Sequence, residues 1–122
     1  MLGHITHFGG HPVCCAAGLA ALKFLLRKKT LIDEAEQKGE LIKQLLPHPA
    51  IKEVRGKGLM LAVEFEDFET NKKVIDRCIQ QGVITDWFLF CDNAMRIAPP
   101  LIITEEELRL ACNVILNVIA FR

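Results

Sequence analysis

A short polar loop near the start of the chain has residue types suited to binding an anion. Its sequence is Thr6-His7-Phe8-Gly9-Gly10-His11-Pro12, and an alanine-rich apolar segment follows it at once. Pro12 is favoured at the first position of a helix, so the loop is predicted to lead directly into one. The first N–H groups of a helix have no partner within the helix, and they attract negatively charged groups. The loop is therefore a candidate anion site.

A single arginine near the end of the chain, Arg96, has a setting suited to binding a carboxylate. It lies in Met95-Arg96-Ile97-Ala98-Pro99-Pro100, where a short predicted strand ends at two rigid prolines. The guanidinium is a planar fork of N–H donors that matches the two oxygens of a carboxylate. Taken by themselves, these residues also fit a surface arginine in a minor ion pair, so both interpretations stay open.

The cysteines and histidines do not indicate a metal site. The five cysteines are odd in number and lack metal-ligand spacing, with two of them adjacent. We expect them to be reduced thiols packed as small apolar residues, as in a cytoplasmic protein. His7 and His11 are four residues apart, but the glycines and proline around them disfavour a helix that would bring them together. The cysteines are Cys14, Cys15, Cys78, Cys91 and Cys112.

Composition excludes several classes of function. The chain has 122 residues, of which 51% are hydrophobic and 25% are charged, enough for one domain with a core. Its formal net charge is +0, so we expect neither a nucleic acid nor an anionic membrane as partner. The longest apolar run, residues 13–22, is shorter than the roughly 20 residues that a membrane span requires.

The first predicted helix, residues 12–29, is apolar nearly all round until Lys23. A helix with this pattern is usually buried on several sides, and its small residues let neighbouring backbones approach closely. A chain of this size has little core with which to surround it. We therefore expect part of this helix to pack against protein outside the chain.

The remaining segments predict an α+β fold. Thr30 is expected to cap a second helix that ends before Pro47, and residues 51–55 and 59–65 are expected to form a hairpin around a turn at 56–58. A third helix is predicted at 70–81 with Gly82 as its left-handed cap, and a last helix after Thr104. Residues 83–90 and 95–98 read as further extended segments. The expected fold is a small antiparallel sheet of three to four strands, covered by helices on one face and preceded by the long N-terminal apolar helix.

Three blocks of sequence together resemble one enzyme family. They are the opening loop with its alanine-rich helix, Arg55-Gly56-Lys57-Gly58-Leu59, and the segment from Met95 through Pro99-Pro100-Leu101 to Leu108. In this order they resemble the C-terminal part of class III pyridoxal-phosphate-dependent aminotransferases, close to the acetylornithine, ornithine and 4-aminobutyrate enzymes. The resemblance implies the C-terminal domain of a fold-type I enzyme. Residues 1–29 would belong to the large-domain and dimer region, and residues 30–122 to the small domain.

The resemblance also implies site residues, substrates and a cofactor. The family places a threonine directly before the aromatic-Gly-Gly sequence, where it binds the cofactor phosphate of the neighbouring subunit. Here His7 occupies that place and Thr6 lies one position earlier, so both are candidate cofactor-binding residues. Arg96 matches the family arginine that binds the substrate α-carboxylate. The complete enzyme would be a cytoplasmic homodimer that uses pyridoxal phosphate to move an amino group between an amino acid and a 2-oxo acid.

Two groups that this chemistry requires do not match any residue of the chain. The family places the Schiff-base lysine, and the carboxylate opposite the ring nitrogen, upstream of the matching segment. We therefore expect a fragment with no catalytic residue of its own, inactive alone and unable to retain the cofactor. One alternative is a non-catalytic interaction or dimerisation module derived from that domain. Another is a small α+β binding domain whose motifs match by accident.

The aromatic residues Trp87, Phe88 and Phe90 fit a pocket, a core or a subunit interface.

Overall fold

The computed structural model describes residues 9–120. These residues form four helices and four strands. The helices are α1 (Pro12–Arg27), α2 (Thr30–Leu45), α3 (Phe68–Gln80) and α4 (Glu105–Ala120). The strands are β1 (Glu53–Lys57), β2 (Met60–Glu64), β3 (Asp86–Phe88) and β4 (Cys91–Ile97).

The four strands form one antiparallel sheet in the order β1-β2-β4-β3. Two hairpins build it, β1–β2 and β3–β4, and the second docks onto the first through β4. The α+β class and the small antiparallel sheet are therefore confirmed. The extended segment predicted at 83–90 contains the short edge strand β3, whose pairing with β4 is irregular after Trp87.

The turn of the first hairpin begins two residues later than the sequence predicts. β1 continues through Gly56 to Lys57, which pairs with Met60, so that the turn consists of Gly58 and Leu59. Gly58 has a φ of 54°, in the left-handed region that glycine adopts without steric cost. The Arg-Gly-Lys-Gly segment is thus mostly strand, because the second glycine alone reverses the chain.

The core fills the space between one face of the sheet and the helices α2, α3 and α4. Alternate residues from Leu59 to Phe65 point into this core, as their two-residue periodicity predicts. The apolar stripe of α4 is also buried, apart from the half-buried Ala111. The buried residues of these two segments are Leu59, Leu61, Val63, Phe65, Leu108, Cys112, Ile115, Val118 and Ile119.

Local capping fixes the ends of α3 and α4. The carboxylate of Asp67 accepts a hydrogen bond from the Thr70 N–H at 2.7 Å, and this bond lowers the pKa of Asp67. At the other end of α3, Gly82 has a φ of 84°, and the N–H of Val83 bonds to the Cys78 carbonyl. α4 begins after Thr104, as predicted, with a capping box in which the Glu107 carboxylate accepts from the Thr104 N–H at 2.8 Å.

The prediction that Thr30 caps α2 is wrong. Thr30 is the first residue of the helix itself, and the N-cap position is Lys29, which makes no side-chain capping bond. The carbonyls of Lys28 and Lys29 accept from the N–H groups of Leu31, Ile32 and Asp33. This tight connection to α1 satisfies those N–H groups without the threonine hydroxyl.

α1 has no buried residue within the described part of the chain. Five of its large apolar side chains are each more than half exposed, and the expected packing of this helix against protein outside the chain stays a prediction. No helix between residues 9 and 120 has both the length and the apolar character needed to cross a bilayer. The exposed side chains are Val13, Leu19, Leu22, Phe24 and Leu26.

Candidate functional site

The sheet face opposite the core carries a row of four residues, one from each strand. Arg55 pairs with Ala62, Ala62 with Arg96, and Arg96 with Asp86. Directly opposed residues of antiparallel strands project to the same side of a sheet. Two arginines and one aspartate are therefore brought together on this outer face by register alone, with the small Ala62 between the arginines.

Arg96, the predicted carboxylate-binding residue, lies on β4 beside the edge strand. Its Nη2 donates to Asp86 Oδ2 in an ion pair, and the Thr85 hydroxyl donates to the Arg96 carbonyl at 2.5 Å. The side chains of Arg96 and Asp86 are 44% and 48% exposed. The backbone of Arg96 is thus fixed in the sheet while its guanidinium stays accessible to a ligand.

Arg55 lies in a more crowded group of polar side chains. Its guanidinium pairs with Glu64 and with Glu53, the latter at 3.3 Å, and it donates to Cys91 Sγ at 3.6 Å. The bond from Arg55 lowers the pKa of Glu64, and that same bond raises the pKa of Arg55. β1 extends past Arg55, so this residue lies on the outer face of the sheet and not in the hairpin turn.

A cavity of about 560 Å³ opens on this outer face. Arg55 and Arg96 both line it, together with apolar side chains from β2 and from the β3–β4 hairpin. A second cavity, of about 400 Å³, lies between the end of β4 and α4, and Arg96 borders this one as well. The apolar walls of the first cavity come from Met60, Ala62, Phe88, Leu89 and Phe90.

The three aromatic residues of the β3–β4 hairpin have different environments. Phe88 and Phe90 line the outer-face cavity, whereas the ring of Trp87 packs edge-on against Phe68 with centroids 5.6 Å apart. Sequence reasoning left their role open between pocket, core and interface. Within the described residues, two of them border the pocket and the third joins α3 to the sheet.

Sequence reasoning missed Asp86 as a site residue. The signal that identifies it is the spacing of the β3–β4 hairpin, in which residues 86 and 96 stand opposite each other. The extended segment 83–90 is otherwise almost entirely apolar, so its single acidic residue is a candidate partner for a basic residue on the neighbouring strand. That basic residue is Arg96, ten residues later.

The predicted phosphate-binding residues Thr6 and His7 lie outside the described residues. The described end of the loop leads directly into the N-terminus of α1. Gly10 has a φ of 79°, His11 at the N-cap of α1 makes no side-chain capping bond, and the first turn contains no acidic residue. The first N–H groups of α1 are therefore not neutralised by a carboxylate of their own helix.

Most lysines of the described residues lie on the surface, whereas the side chain of Lys38 is 13% exposed and donates to the Leu101 carbonyl at 3.0 Å. Four of them pair with carboxylates at 2.6–3.3 Å, and the partner Glu66 raises the pKa of Lys52. No lysine lines either cavity that Arg96 borders. A lysine that reacts as a nucleophile needs a neutral amine in an apolar site, whereas these four ammonium groups each have a carboxylate partner. The paired lysines are Lys38, Lys43, Lys52 and Lys72.

Comparison with known proteins identifies the family. The aminotransferase class-III model matches residues 1–119. Acetylornithine aminotransferase of Caldanaerobacter subterraneus subsp. tengcongensis is 33% identical over 122 aligned positions, gaps included, and the alignment covers 96% of this chain and 30% of that protein. The predicted resemblance to the acetylornithine enzyme is thus confirmed.

Solved structures share the fold of the chain. An aminotransferase from Bacillus anthracis superimposes with a TM-score of 0.80 at 27% identity, covering 98% of this chain and 30% of that one. An ornithine aminotransferase from Toxoplasma gondii, whose active site has partial occupancy of PLP, gives a TM-score of 0.74 at 32% identity, with 95% and 28% covered. The chain therefore spans about 30% of the length of the relatives it matches, and it belongs to the class III aminotransferase family.

Proposed function

We propose that the chain forms the C-terminal, substrate-facing part of an aminotransferase that moves an amino group between an amino acid and a 2-oxo acid. Family membership and the shared fold support this reaction class. The observation that carries the proposal is Arg96, held on β4 at the wall of a cavity on the outer face of the sheet. Every substrate and product of such a reaction has a carboxylate, which is the group that an arginine fork binds.

Arg96 is the residue to which we assign the substrate carboxylate. A strand holds its backbone, while the side chain keeps donors that the single ion pair with Asp86 does not use. Phe88 and Phe90 line the same cavity and offer apolar surface to the carbon chain of a substrate. Arg96 therefore binds and orients the substrate and takes no part in proton transfer.

The opening loop is proposed to contact the phosphate of pyridoxal phosphate in a neighbouring subunit, through Thr6 and His7. The uncapped and acid-free N-terminus of α1 supports this assignment. Bound in the complete enzyme, the cofactor supplies the electron sink for amino transfer. We further propose a cytoplasmic homodimer in which residues 1–29 belong to the large-domain region, and the free thiols fit a reducing compartment.

By itself, the chain is proposed to be inactive and to retain no cofactor. The carboxylate partners of four of its lysines support this. A second candidate function is a non-catalytic dimerisation module derived from the same domain. The exposed apolar side chains of α1 favour it, because such a surface associates readily with another protein.

The substrate assignment is tested by replacing Arg96 in the complete enzyme. We expect Arg96→Gln to raise KM for the amino acid by about 10- to 100-fold, because a charge-assisted hydrogen bond contributes about 1.5–3 kcal/mol. Steady-state kinetics with several amino donors provides the measurement. Arg109→Gln is the matched control, since Arg109 is an exposed arginine of α4 paired with Glu105. Equal KM values for the two variants would refute the role of Arg96.

A further inference from the structure

The ion pair between Asp86 and Arg96 joins an acidic side chain to the proposed carboxylate-binding group. The two residues stand directly opposite each other on β3 and β4, and the Thr85 hydroxyl fastens the edge strand to the Arg96 carbonyl. On the other side of Arg96, the opposed residue is Ala62, which has no polar side-chain atom. Within residues 9–120, Asp86 is the one carboxylate in ion-pair contact with Arg96.

A substrate carboxylate that approaches Arg96 therefore meets a guanidinium that already has a negative partner. The guanidinium has five N–H donors, and the contact with Asp86 is made through Nη2. A second carboxylate finds donors that remain, but the charge of Asp86 opposes its approach. Arg55 differs because its guanidinium has three partners, which are Glu64, Glu53 and Cys91.

We propose that Asp86 is a positioning residue that holds the Arg96 guanidinium at the cavity and lowers its affinity for the substrate carboxylate. This inference rests on the proposed role of Arg96. Weaker binding suits an enzyme that must release one carboxylate after each half of its reaction and admit another of similar structure. Asp86 is thus a determinant of carboxylate affinity, acting through Arg96 without contacting the reacting atoms.

The size of the effect follows from the exposure of the pair. Both side chains are nearly half exposed, and exposed ion pairs are weak and are screened by salt. An interaction of that strength changes an equilibrium constant by about two- to five-fold. We expect the effect of Asp86 to be of this size at low salt and to shrink as the ionic strength rises.

The test measures how fast phenylglyoxal, a dicarbonyl reagent for arginine, modifies Arg96 in the chain, and how much propionate prevents it. Peptide mass spectrometry follows the modified Arg96 peptide. We expect Asp86→Asn to speed the modification about two- to five-fold and to lower the half-protecting propionate concentration by a similar factor. Asp86→Glu, which retains the carboxylate, restores both values toward those of the parent chain.

Asp92→Asn is the matched control, because it removes the same charge from β4. Residue 92 is four residues from Arg96, or about 13 Å along the strand, farther than charges interact at moderate salt. Asp86 does not control carboxylate affinity if Asp86→Asn and Asp92→Asn give the same modification rate and the same half-protecting propionate concentration. The same conclusion follows if Asp86→Asn does not bind propionate more tightly than the parent chain. If propionate fails to protect Arg96 in every form, the carboxylate-binding role of Arg96 fails, and the inference fails with it.

Discussion

Arg96 and Arg55 lie on the same sheet face but differ in the number of their ion-pair partners. Arg55 has two carboxylate partners and a thiol, whereas Arg96 has a single carboxylate partner among the described residues. A guanidinium with two carboxylates is already neutralised, so a further anion gains little from it. Of the two arginines that line the outer-face cavity, Arg96 is therefore the better carboxylate receptor.

Two cysteines in the core make stability depend on pH in the alkaline range. Burial raises the pKa of Cys78 and of Cys112 to about 11, from an ordinary value of 9.0. The folded state keeps these thiols protonated while the unfolded state ionises them. Their contribution is therefore complete below pH 9 and is lost as the pH rises toward 11. We expect the free energy of unfolding to fall by about 1 kcal/mol per thiol by pH 10.

Urea unfolding at pH 8, 9 and 10 provides the measurement. Cys112→Ala should lower stability at pH 8 through lost packing, but should then show a shallower decline with pH than the parent chain. Cys91→Ala is the matched control, because Cys91 is only half-buried, on the outer side of the sheet. Parallel declines for the parent and Cys112→Ala would contradict the thiol explanation.

At the scale of elements, α2 and the first hairpin meet through two glycines. Gly39 is buried in the middle of α2, and a Cβ on it would lie 2.1 Å from the carbonyl oxygen of Gly58. The contact is between backbones, so no side-chain movement can relieve it. We expect Gly39→Ala to destabilise the chain by about 1–3 kcal/mol, since this clash exceeds the roughly 1 kcal/mol that alanine gains in a helix.

Gly18→Ala in α1 is the control for helix propensity. A Cβ at Gly18 meets no heavy atom within 4 Å, so this variant should be as stable as the parent chain or more stable. The urea midpoints of the two variants supply the comparison. A Gly39→Ala midpoint equal to that of the parent would show that α2 and the hairpin can separate without cost.

At the scale of the whole molecule, α1 stands apart from the core that the other three helices share. Its exposed apolar side chains predict concentration-dependent association of the isolated chain. Replacing Leu22 and Leu26 together with lysine should weaken that association at least about ten-fold, because each buried leucine contributes about 1.5–3 kcal/mol. Size-exclusion chromatography with light scattering over a range of concentrations measures it.

The control for this experiment replaces two exposed apolar residues elsewhere. Ile102 and Leu110 are 71% and 66% exposed and lie in the last loop and in α4. Changing both to lysine adds the same charge, and we expect association to persist. A parent chain that stays monomeric at every concentration would contradict an associating role for α1.

Much of the fold could be predicted because it depends on local chemistry. The alternation from Leu59 to Phe65 specified a strand with one buried face, and Thr104 with Glu107 specified the start of α4. Gly82 marked the end of α3, because glycine adopts a positive φ without strain. Local rules failed at Thr30, where the carbonyls of the preceding turn satisfy the N–H groups, and at the hairpin turn, where two nearby glycines could each reverse the chain.

The sequence by itself determined the family, the fold class and the choice of Arg96 as a candidate, since these depend on motifs and periodicities that are read along the chain. Only the tertiary structure placed Asp86 beside Arg96, and Arg55 two strands away on the same face, because strand register decides which distant residues stand opposite each other. It also showed that α1 has no buried residue within the described part of the chain. Burial is a property of what surrounds a helix, and the helix's own residues do not contain that information.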